Sequence, residues 1–252
     1  MLKNRVIPCL LISERRLVKT RKFKKPSYVG DPVNAVRIFN EKEVDELIIL
    51  DIEASKRGKP PDFAYIEEIA SECFMPLAYG GGIRSVDDAE KLFSLGVEKV
   101  CLQTSVLDDI SLIHQISDRF GCQSVVLSVD LKKSIFGKYR LYSSSMRKII
   151  KNDYMEYIQS SIPSGVGELV LNVVDNDGCM HGMDFDLIEK VSSQISIPMV
   201  AMGGAGSLED IKHAIKSGAS AVAAGALFVY QGPHRAVLIS YPKHVDLERI
   251  LT

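Results

Sequence analysis

Two segments of the chain decide its fold: residues 76–106, PLAYGGGIRSVDDAEKLFSLGVEKVCLQTSV, and residues 198–228, PMVAMGGAGSLEDIKHAIKSGASAVAAGALF. They align without a gap at an offset of 122 residues, which places Gly81 over Gly203, and seven of the 31 aligned positions are identical. The same offset places residues 46–50, ELIIL read as Glu46 to Leu50, over residues 168–172. Two halves, about 1–122 and 123–252, are therefore predicted to be copies of one unit within a single domain of residues 1–252.

Each half is predicted to alternate strands with helices. Short apolar runs bounded by glycine, proline or charged residues are typical of strands buried on both faces, and they lie near residues 5–11, 46–52, 76–80, 97–103, 124–130, 168–174, 197–202 and 219–225. Eight strands alternating with helices in about 250 residues predict an α/β chain that forms a single (β/α)8 TIM barrel with a two-fold half-barrel repeat. An open doubly wound sheet explains the repeat and the strand count less well.

The composition is that of an ordinary soluble globular protein, with 46% hydrophobic residues, 25% charged residues and a formal net charge of −1 at pH 7. We therefore expect no nucleic acid and no membrane as partners. The five cysteines are scattered, and no Cys/His cluster is present, so we expect neither a disulfide framework nor a metal or cofactor. No apolar run reaches membrane-spanning length, and we expect a cytoplasmic protein.

Two glycine-rich loops follow equivalent strands of the two halves. Glycines let a backbone approach an anion closely and point its N–H groups at it, and a following helix N-terminus adds partial positive charge. We therefore expect a phosphorylated small-molecule ligand with two phosphates at the C-terminal face, although the glycines could alternatively form only tight turns. The expected binding residues are Gly81, Gly82, Gln103 and Thr104 in the first half and Gly203, Gly204, Gly225 and Ala226 in the second.

Carboxylates stand at or just beyond several predicted strand ends, at Asp51, Asp130, Asp175 and Asp177. A carboxylate inside the mouth of an apolar barrel needs a partner or a function. Asp130 ends the fifth strand and is the candidate for acid–base catalysis, with an ion pair to Lys132 or Lys133 as the alternative. The corresponding first strand ends in Leu11. The chain therefore holds one half of a symmetric acid–base pair.

Charged residues also mark the N-terminal end of the predicted barrel. Arg5, Glu46, Lys99 and Glu168 open or nearly open the first, second, fourth and sixth strands. Two cations and two anions there could form a closed ring of salt bridges, which taken alone indicates a structural plug. At the other end, the basic run of residues 15–25 is expected to be a mobile loop over the mouth that attracts an anionic ligand, or a plain solvated loop.

These motifs resemble the cyclase subunit of imidazole glycerol phosphate synthase, HisF, over essentially the whole chain. That family closes an imidazole ring at the top of the barrel with ammonia from a glutaminase docked at the bottom. The resemblance implies a HisH-like glutaminase as heterodimer partner at the N-terminal face. It also implies that the four charged residues Arg5, Glu46, Lys99 and Glu168 form an ammonia gate. The stretches that carry the resemblance are 5–10, 17–19, 30–32, 45–47, 50–52, 80–83, 124–130, 175–178 and 203–206, and they lead us to assign Lys19, Asp51 and Asp177 to substrate binding.

The top face departs from the family pattern. The resemblance implies that cyclase chemistry needs two aspartates, and Leu11 stands where one of them is expected, with a side chain that cannot shuttle a proton. Residues 13–15 replace an Asp-Gly pair, and Gln103 replaces an asparagine. The chain more closely resembles a second-HisF branch, associated with glycosyl amidation in surface-polysaccharide clusters, through residues 9–11 and 17–20. In that branch the barrel is associated with ammonia supply to a separate sugar amidotransferase.

The resemblance therefore implies a lyase- or cyclase-family subunit of a glutamine amidotransferase complex. The favoured hypothesis is delivery of ammonia for amidation of a nucleotide-linked sugar in surface polysaccharide (O-antigen or lipopolysaccharide) biosynthesis. A histidine-biosynthesis cyclase that forms imidazole glycerol phosphate and AICAR, with Asp130 doing most of the chemistry, is the first alternative. A non-catalytic allosteric scaffold for the glutaminase is the second.

Overall fold

A computed structural model describes residues 4–107 and 109–251. In chain order its strands are β1 (Arg5–Ser13), β2 (Arg16–Arg21), β3 (Lys24–Gly30), β4 (Leu47–Asp51), β5 (Leu77–Gly80), β6 (Lys99–Leu102), β7 (Val125–Lys133), β8 (Tyr139–Ser143), β9 (Lys148–Ile149), β10 (Glu168–Val173), β11 (Met199–Met202), β12 (Ala221–Ala224), β13 (Tyr230–Gln231) and β14 (Ala236–Val237). Within the described residues, eight parallel strands pair in the order β1-β4-β5-β6-β7-β10-β11-β12, and β12 pairs with β1 to close the sheet.

Helices connect consecutive barrel strands, and the last two helices follow the final barrel strand, β12. They are α1 (Pro32–Glu41), α2 (Phe63–Ser71), α3 (Val86–Ser94), α4 (Ser111–Phe120), α5 (Tyr154–Ser161), α6 (Phe185–Ser192), α7 (Leu208–Lys216), α8 (Ala226–Val229) and α9 (His244–Leu251). The (β/α)8 barrel predicted from the sequence is confirmed, and the open-sheet alternative is wrong because β7–β10 and β12–β1 pairing leaves the barrel without an open edge. No helix in the described part of the chain is long and apolar enough to cross a membrane.

The two-fold repeat is visible in local structure. Helices α3 and α7 each begin with a capping box, in which the serine side chain accepts from the backbone of an aspartate three residues on and the aspartate side chain accepts from the serine backbone. The pairs are Ser85 with Asp88 and Ser207 with Asp210, which the 122-residue offset superposes. Each box satisfies amide groups that a helix N-terminus otherwise leaves unpaired. The same local signal therefore starts the equivalent helix in both halves.

Buried apolar side chains form two layers, as alternation along the barrel strands requires. The outer layer packs the strands against the helices. The inner layer fills the barrel with mostly small or medium side chains: Ile7, Cys9, Leu11, Val18, Ile48, Ala78, Cys101, Val126, Val170, Val200, Met202, Ala221 and Ala223. The barrel axis is thus lined by apolar atoms between a polar bottom and a polar mouth.

The basic run of residues 15–25 was expected to form a loop, and this expectation is wrong. It forms most of an antiparallel hairpin in which β2 pairs with β1 and β3 pairs with β2. The reason is that Leu17 and Val18 are buried against β1 while the flanking cations stay exposed. Lys22 and Phe23 turn the hairpin with positive φ angles of 55° and 58°, as a tight two-residue hairpin turn requires. The second half carries the equivalent arrangement in β8 and β9, which extend β7.

Candidate functional site

A cavity opens at the C-terminal ends of the barrel strands. Its walls combine strand ends of the first half, the β6 and β7 ends, and parts of both hairpins. Of the residues assigned to the site from the sequence, it brings together Asp51, Gly81, Gly82, Gln103, Thr104, Asp130 and Asp177. The second-half residues Gly203, Gly204, Gly225 and Ala226 are not among those that line it.

Asp130 lies in the cavity wall with 6% of its surface exposed. Its carboxylate accepts hydrogen bonds from Gln103 Nε2 and, at 3.1 Å, from Asn172 Nδ2. Burial raises the pKa of Asp130 to about 7; the charge of Asp177 adds to this rise, and the two hydrogen bonds oppose it. A carboxyl group with a pKa near neutrality can give and take a proton at physiological pH, which is what acid–base chemistry needs.

The alternative of an ion pair between Asp130 and a neighbouring lysine is wrong. Lys132 lies with its Nζ atom 5.0 Å from the centre of the Tyr142 ring, and Lys133 pairs with Asp184 at 3.6 Å. Both lysines belong to β7 beyond the point where it leaves the barrel. The sequence placed them near Asp130 along the chain, but the hairpin carries their side chains to other partners.

Leu11 takes in the first half the position that Asp130 takes in the second. Leu11 pairs in register with Leu50 of β4, and Asp130 pairs with Asn172 of β10. Leu50 and Asn172 are superposed by the repeat offset. Leu11 is 5% exposed and lines the same cavity as Asp130. The two halves therefore present different chemistry to one cavity, leucine beside leucine and carboxylate beside amide.

Lys19 and Asp177 form a second buried polar group at the mouth, with 4% and 5% exposure. Burial raises the pKa of Asp177, while the charge of Lys19 and a 3.3 Å hydrogen bond from the Thr20 hydroxyl lower it in part. The Lys19 ammonium lies directly against Gly225, where a β-carbon would collide with it. Gly225 thus provides room for a buried cation, which is a suitable group for binding an anion.

The first-half glycine loop is shaped by close backbone packing. Gly81 has a φ of 126°, and a β-carbon on it would lie 2.5 Å from the Asp51 carbonyl oxygen. The Asp51 carboxylate in turn accepts from the backbone N–H groups of Glu53 at 2.9 Å and Ala54 at 3.0 Å. Burial raises the pKa of Asp51, and those two hydrogen bonds partly offset the rise. Asp51 therefore holds its own loop in place as well as lining the cavity.

The glycine-rich loop of the second half, at Gly203 and Gly204, packs closely against other parts of the protein. A β-carbon on Gly203 would lie 2.7 Å from Asn172 Oδ1, and one on Gly204 would collide with the Gly182 carbonyl oxygen. Gly182 also donates its N–H to the Gly204 carbonyl at 3.0 Å. The absence of a side chain at Gly203 and Gly204 therefore allows the loop of residues 174–184 to pack against them. The first-half glycines Gly81 and Gly82 also pack closely against backbone, but they line the cavity as well.

Several cavity residues were missed from the sequence. Tyr142, Ser144 and Arg147 come from the second hairpin, which the sequence did not predict. Asn172 was also missed, although it donates to Asp130 and its own Oδ1 is buried with no hydrogen-bond partner among the described residues. Its signal was in the repeat, because an amide replaces the Leu50 of the first half at one strand end.

At the opposite end of the barrel, four charged residues form the closed ring expected from the sequence. Arg5 donates to both Glu46 and Glu168, and Lys99 donates to Glu46 at 2.8 Å and to Glu168 at 3.0 Å. The carboxylate side chains are 4% and 8% exposed, and the cations are 20–25% exposed. Burial lowers the pKa of Lys99, but the two carboxylates outweigh it, so the pKa is raised and the ammonium form is favoured. Each charge thus has two opposite neighbours.

Comparison with known proteins agrees with this architecture. The family model for histidine biosynthesis proteins matches residues 5–234. A Pseudomonas aeruginosa protein, provisionally named imidazole glycerol phosphate synthase subunit hisF2, is 53% identical over 243 residues, covering 96% of this chain and 97% of that protein. A Vibrio vulnificus protein, provisionally named subunit hisF3 of the same enzyme, is 47% identical over 253 residues, covering 100% of this chain and 97% of that protein. The imidazole glycerol phosphate synthase subunit HisF of Streptococcus sanguinis is 36% identical over 231 residues, covering 91% and 92%. The chain belongs to the HisF family of histidine biosynthesis proteins.

Proposed function

We propose that this chain is the barrel subunit of a glutamine amidotransferase complex. A HisH-like glutaminase binds the N-terminal face of the barrel, and ammonia released there passes along the barrel axis to the mouth. A separate sugar amidotransferase then uses it to amidate a nucleotide-linked sugar in surface polysaccharide biosynthesis. The names of the relatives, which are subunits of a synthase, support membership of a complex.

The barrel interior supports passage of ammonia as the neutral molecule. Above the ring of Arg5, Glu46, Lys99 and Glu168, the axis is lined by apolar side chains that include the three small residues Ala78, Ala221 and Ala223. Such a lining strongly disfavours the charged ammonium ion and tolerates the small neutral base. The ring closes the bottom of this path, so passage requires that one of its four ion pairs opens. A gate at the glutaminase side is the role we assign to it.

The observation that carries the proposal is the apolar first-half wall of the mouth. Leu11 lines the cavity where the symmetry of the barrel would place a partner for Asp130. Leucine neither donates nor accepts a proton, so ring closure that uses two carboxylates has only one here. The route to the mouth is retained while the paired chemistry is absent, which favours a conduit over a cyclase.

An isotope experiment tests delivery directly. The chain is combined with its glutaminase and a sugar amidotransferase, and given glutamine labelled with ¹⁵N in the side-chain amide together with excess unlabelled ammonium. We expect most of the sugar product to carry ¹⁵N, because ammonia inside the barrel does not mix with the solvent. Label diluted to the solvent ratio would contradict the proposal. Unlabelled ammonium without glutamine is the control that shows an active acceptor enzyme.

One observation favours a second candidate, the histidine-pathway cyclase. Asp130 is buried in the cavity with a pKa raised to about 7, which suits a single residue that acts as both acid and base. In that case Asp130 performs most of the proton transfers alone. Formation of imidazole glycerol phosphate by the purified chain separates the two candidates.

A further inference from the structure

The basic residues of the chain are concentrated in two hairpin segments at the mouth. We call residues 15–30 the first hairpin and residues 131–151 the second hairpin. Each contains seven Lys or Arg residues and no Asp or Glu. Together they hold 14 of the 31 basic residues, which leaves 17 basic and 32 acidic residues in the rest of the chain. The net charge of −1 is therefore the sum of two strongly charged regions: the hairpins at the mouth are positive, and the rest of the chain is negative.

Most of these cations are exposed and are not neutralised by the protein. Arg15 pairs with Asp62, and Lys133 pairs with Asp184. By contrast, no carboxylate of the described residues lies within 4 Å of the exposed cations Arg16, Arg21, Lys22, Lys24, Lys25, Lys138, Arg147, Lys148 and Lys151. Like charges that lie close together without counter-charges repel one another, which costs free energy in the isolated chain. Binding of an anionic partner would offset this repulsion.

The two hairpins stand on either side of the cavity opening. The first contributes Thr20 and Phe23 to the cavity wall, and the second contributes Tyr142, Ser144 and Arg147. The rings of Phe23 and Tyr142 approach to 6.2 Å between centroids, so the hairpins touch across the mouth. A partner molecule that contacts both hairpins would therefore also cover the opening of the cavity.

A ligand inside the cavity does not account for the charge. Of the nine exposed cations without a carboxylate partner, only Arg147 lines the cavity. The tip of the second hairpin also carries Ile135 and Phe136, which are 94% and 83% exposed. Two adjacent large apolar side chains among unpaired cations are a feature of surfaces that bind other macromolecules.

We propose that the two hairpins form a docking surface for the acidic face of the protein that consumes the ammonia. This inference rests on the proposed function, and it names where the acceptor enzyme binds. Ammonia that reaches the mouth is protonated or lost if the mouth is open to water. A protein that covers both hairpins with its own active site above the cavity retains it. An anionic bilayer or a nucleic acid would also match the charge, but neither offers an acceptor for ammonia.

Charge reversal tests the docking surface. The test variant carries Lys24→Glu and Lys138→Glu, one exposed lysine from each hairpin and neither of them in the cavity wall. The matched control carries Lys91→Glu and Lys212→Glu, on the outer helices α3 and α7, and changes the net charge equally. Each variant is assembled with the glutaminase and the sugar amidotransferase at low salt, and ¹⁵N transfer from glutamine is measured.

We expect glutamine-dependent amidation by the hairpin variant to fall at least about tenfold, because complementary charge controls association. Glutamine hydrolysis and amidation from saturating free ammonium should stay at their unmodified levels, and the control variant should transfer normally. Equal transfer by both variants would overturn the docking surface and leave the proposed function standing. No transfer by the unmodified complex would overturn both. Normal transfer by the hairpin variant, with loss of binding to phosphatidylglycerol vesicles, would assign the surface to a membrane and also overturn the inference.

Discussion

Leu11 and Asp130 occupy equivalent positions in the two halves of the barrel and line one cavity. The two-fold scaffold therefore carries an asymmetric mouth, with an apolar wall on one side and a buried carboxyl group on the other. Asp130 keeps two hydrogen-bond donors, Gln103 and Asn172, while Leu11 packs beside Leu50. In the proposed function, this asymmetry distinguishes a subunit that delivers ammonia from one that closes a ring with it.

The first prediction concerns the pH dependence of stability. The pKa of Asp130 is raised to about 7 in the folded protein, so ionisation of Asp130 opposes folding. The cost begins near the unfolded pKa, about 4, and is complete above pH 7. We expect Asp130→Asn to gain stability relative to the unmodified chain as pH rises from 4 to 8, by a few kcal/mol and at most about 4. Urea unfolding at both pH values measures this.

The exposed Asp118 on α4 provides the control for that prediction, since Asp118→Asn removes the same charge from the surface. Its effect should be small at both pH values. If Asp130→Asn and Asp118→Asn show the same pH dependence, the Asp130 carboxyl group does not carry the raised pKa.

The second prediction concerns the charged ring. Glu168→Gln removes one of two carboxylates and leaves Arg5 and Lys99 with one partner each. Removing one member of a buried ion pair is costly, and because the cations are partly exposed we expect a loss of about 2–3 kcal/mol in the free energy of unfolding. The breached ring should also lower the ¹⁵N fraction delivered from glutamine. Denaturant unfolding and isotope transfer measure the two effects.

Glu209→Gln is the matched control for the ring, because Glu209 pairs with His213 on the exposed face of α7. We expect it to change stability by less than about 0.5 kcal/mol and to leave isotope transfer unaffected. Transfer that stays intact in Glu168→Gln, despite the loss of stability, would show that the ring is a structural plug and not a gate.

The third prediction concerns the glycine loop of the first half. A β-carbon on Gly81 would lie 2.5 Å from the Asp51 carbonyl oxygen, whereas one on Gly96 would meet nothing within 4 Å. Both residues have positive φ angles, so each alanine variant carries backbone strain of about 1 kcal/mol. Only Gly81→Ala adds a steric clash to this strain. We expect Gly81→Ala to be at least about 1 kcal/mol less stable than Gly96→Ala. If the Gly81 loop binds phosphate, inorganic phosphate should raise the thermal unfolding midpoint of Gly96→Ala, whose binding loop is intact. It should not raise the midpoint of Gly81→Ala, whose loop is distorted.

Local signals and the repeat made the barrel itself predictable. Each half contains apolar runs of strand length, and the serine–aspartate pairs that start α3 and α7 are readable in the sequence. The ring was also predictable, because Arg5, Glu46, Lys99 and Glu168 all stand at strand beginnings, and parallel strands in a barrel place their beginnings at one end. Periodicity and position along a strand were sufficient for these features.

The hairpins and the second-half loop were not predictable in the same way. In residues 15–25 the cations outnumber the two buried apolar residues Leu17 and Val18, so the strand pattern was masked. Pairing with these hairpins extends β1 to Ser13 and β7 to Lys133, beyond the apolar runs. The packing of Gly204 against Gly182 joins segments whose contact no local pattern encodes. The extent of these strands and the position of this loop depend on contacts between separate segments, which sequence periodicity does not reveal.

The most direct test of the proposed conduit function is an assay for cyclisation by the chain itself. The purified protein is given ammonia and the ribulosylamine phosphate substrate of the HisF family, and formation of imidazole glycerol phosphate is followed. With Leu11 in place of a second carboxylate, we predict no turnover above background by folded protein that still binds its glutaminase. Turnover at ordinary enzyme rates, on the order of 1 to 10 per second, would contradict the account and establish the chain as a cyclase.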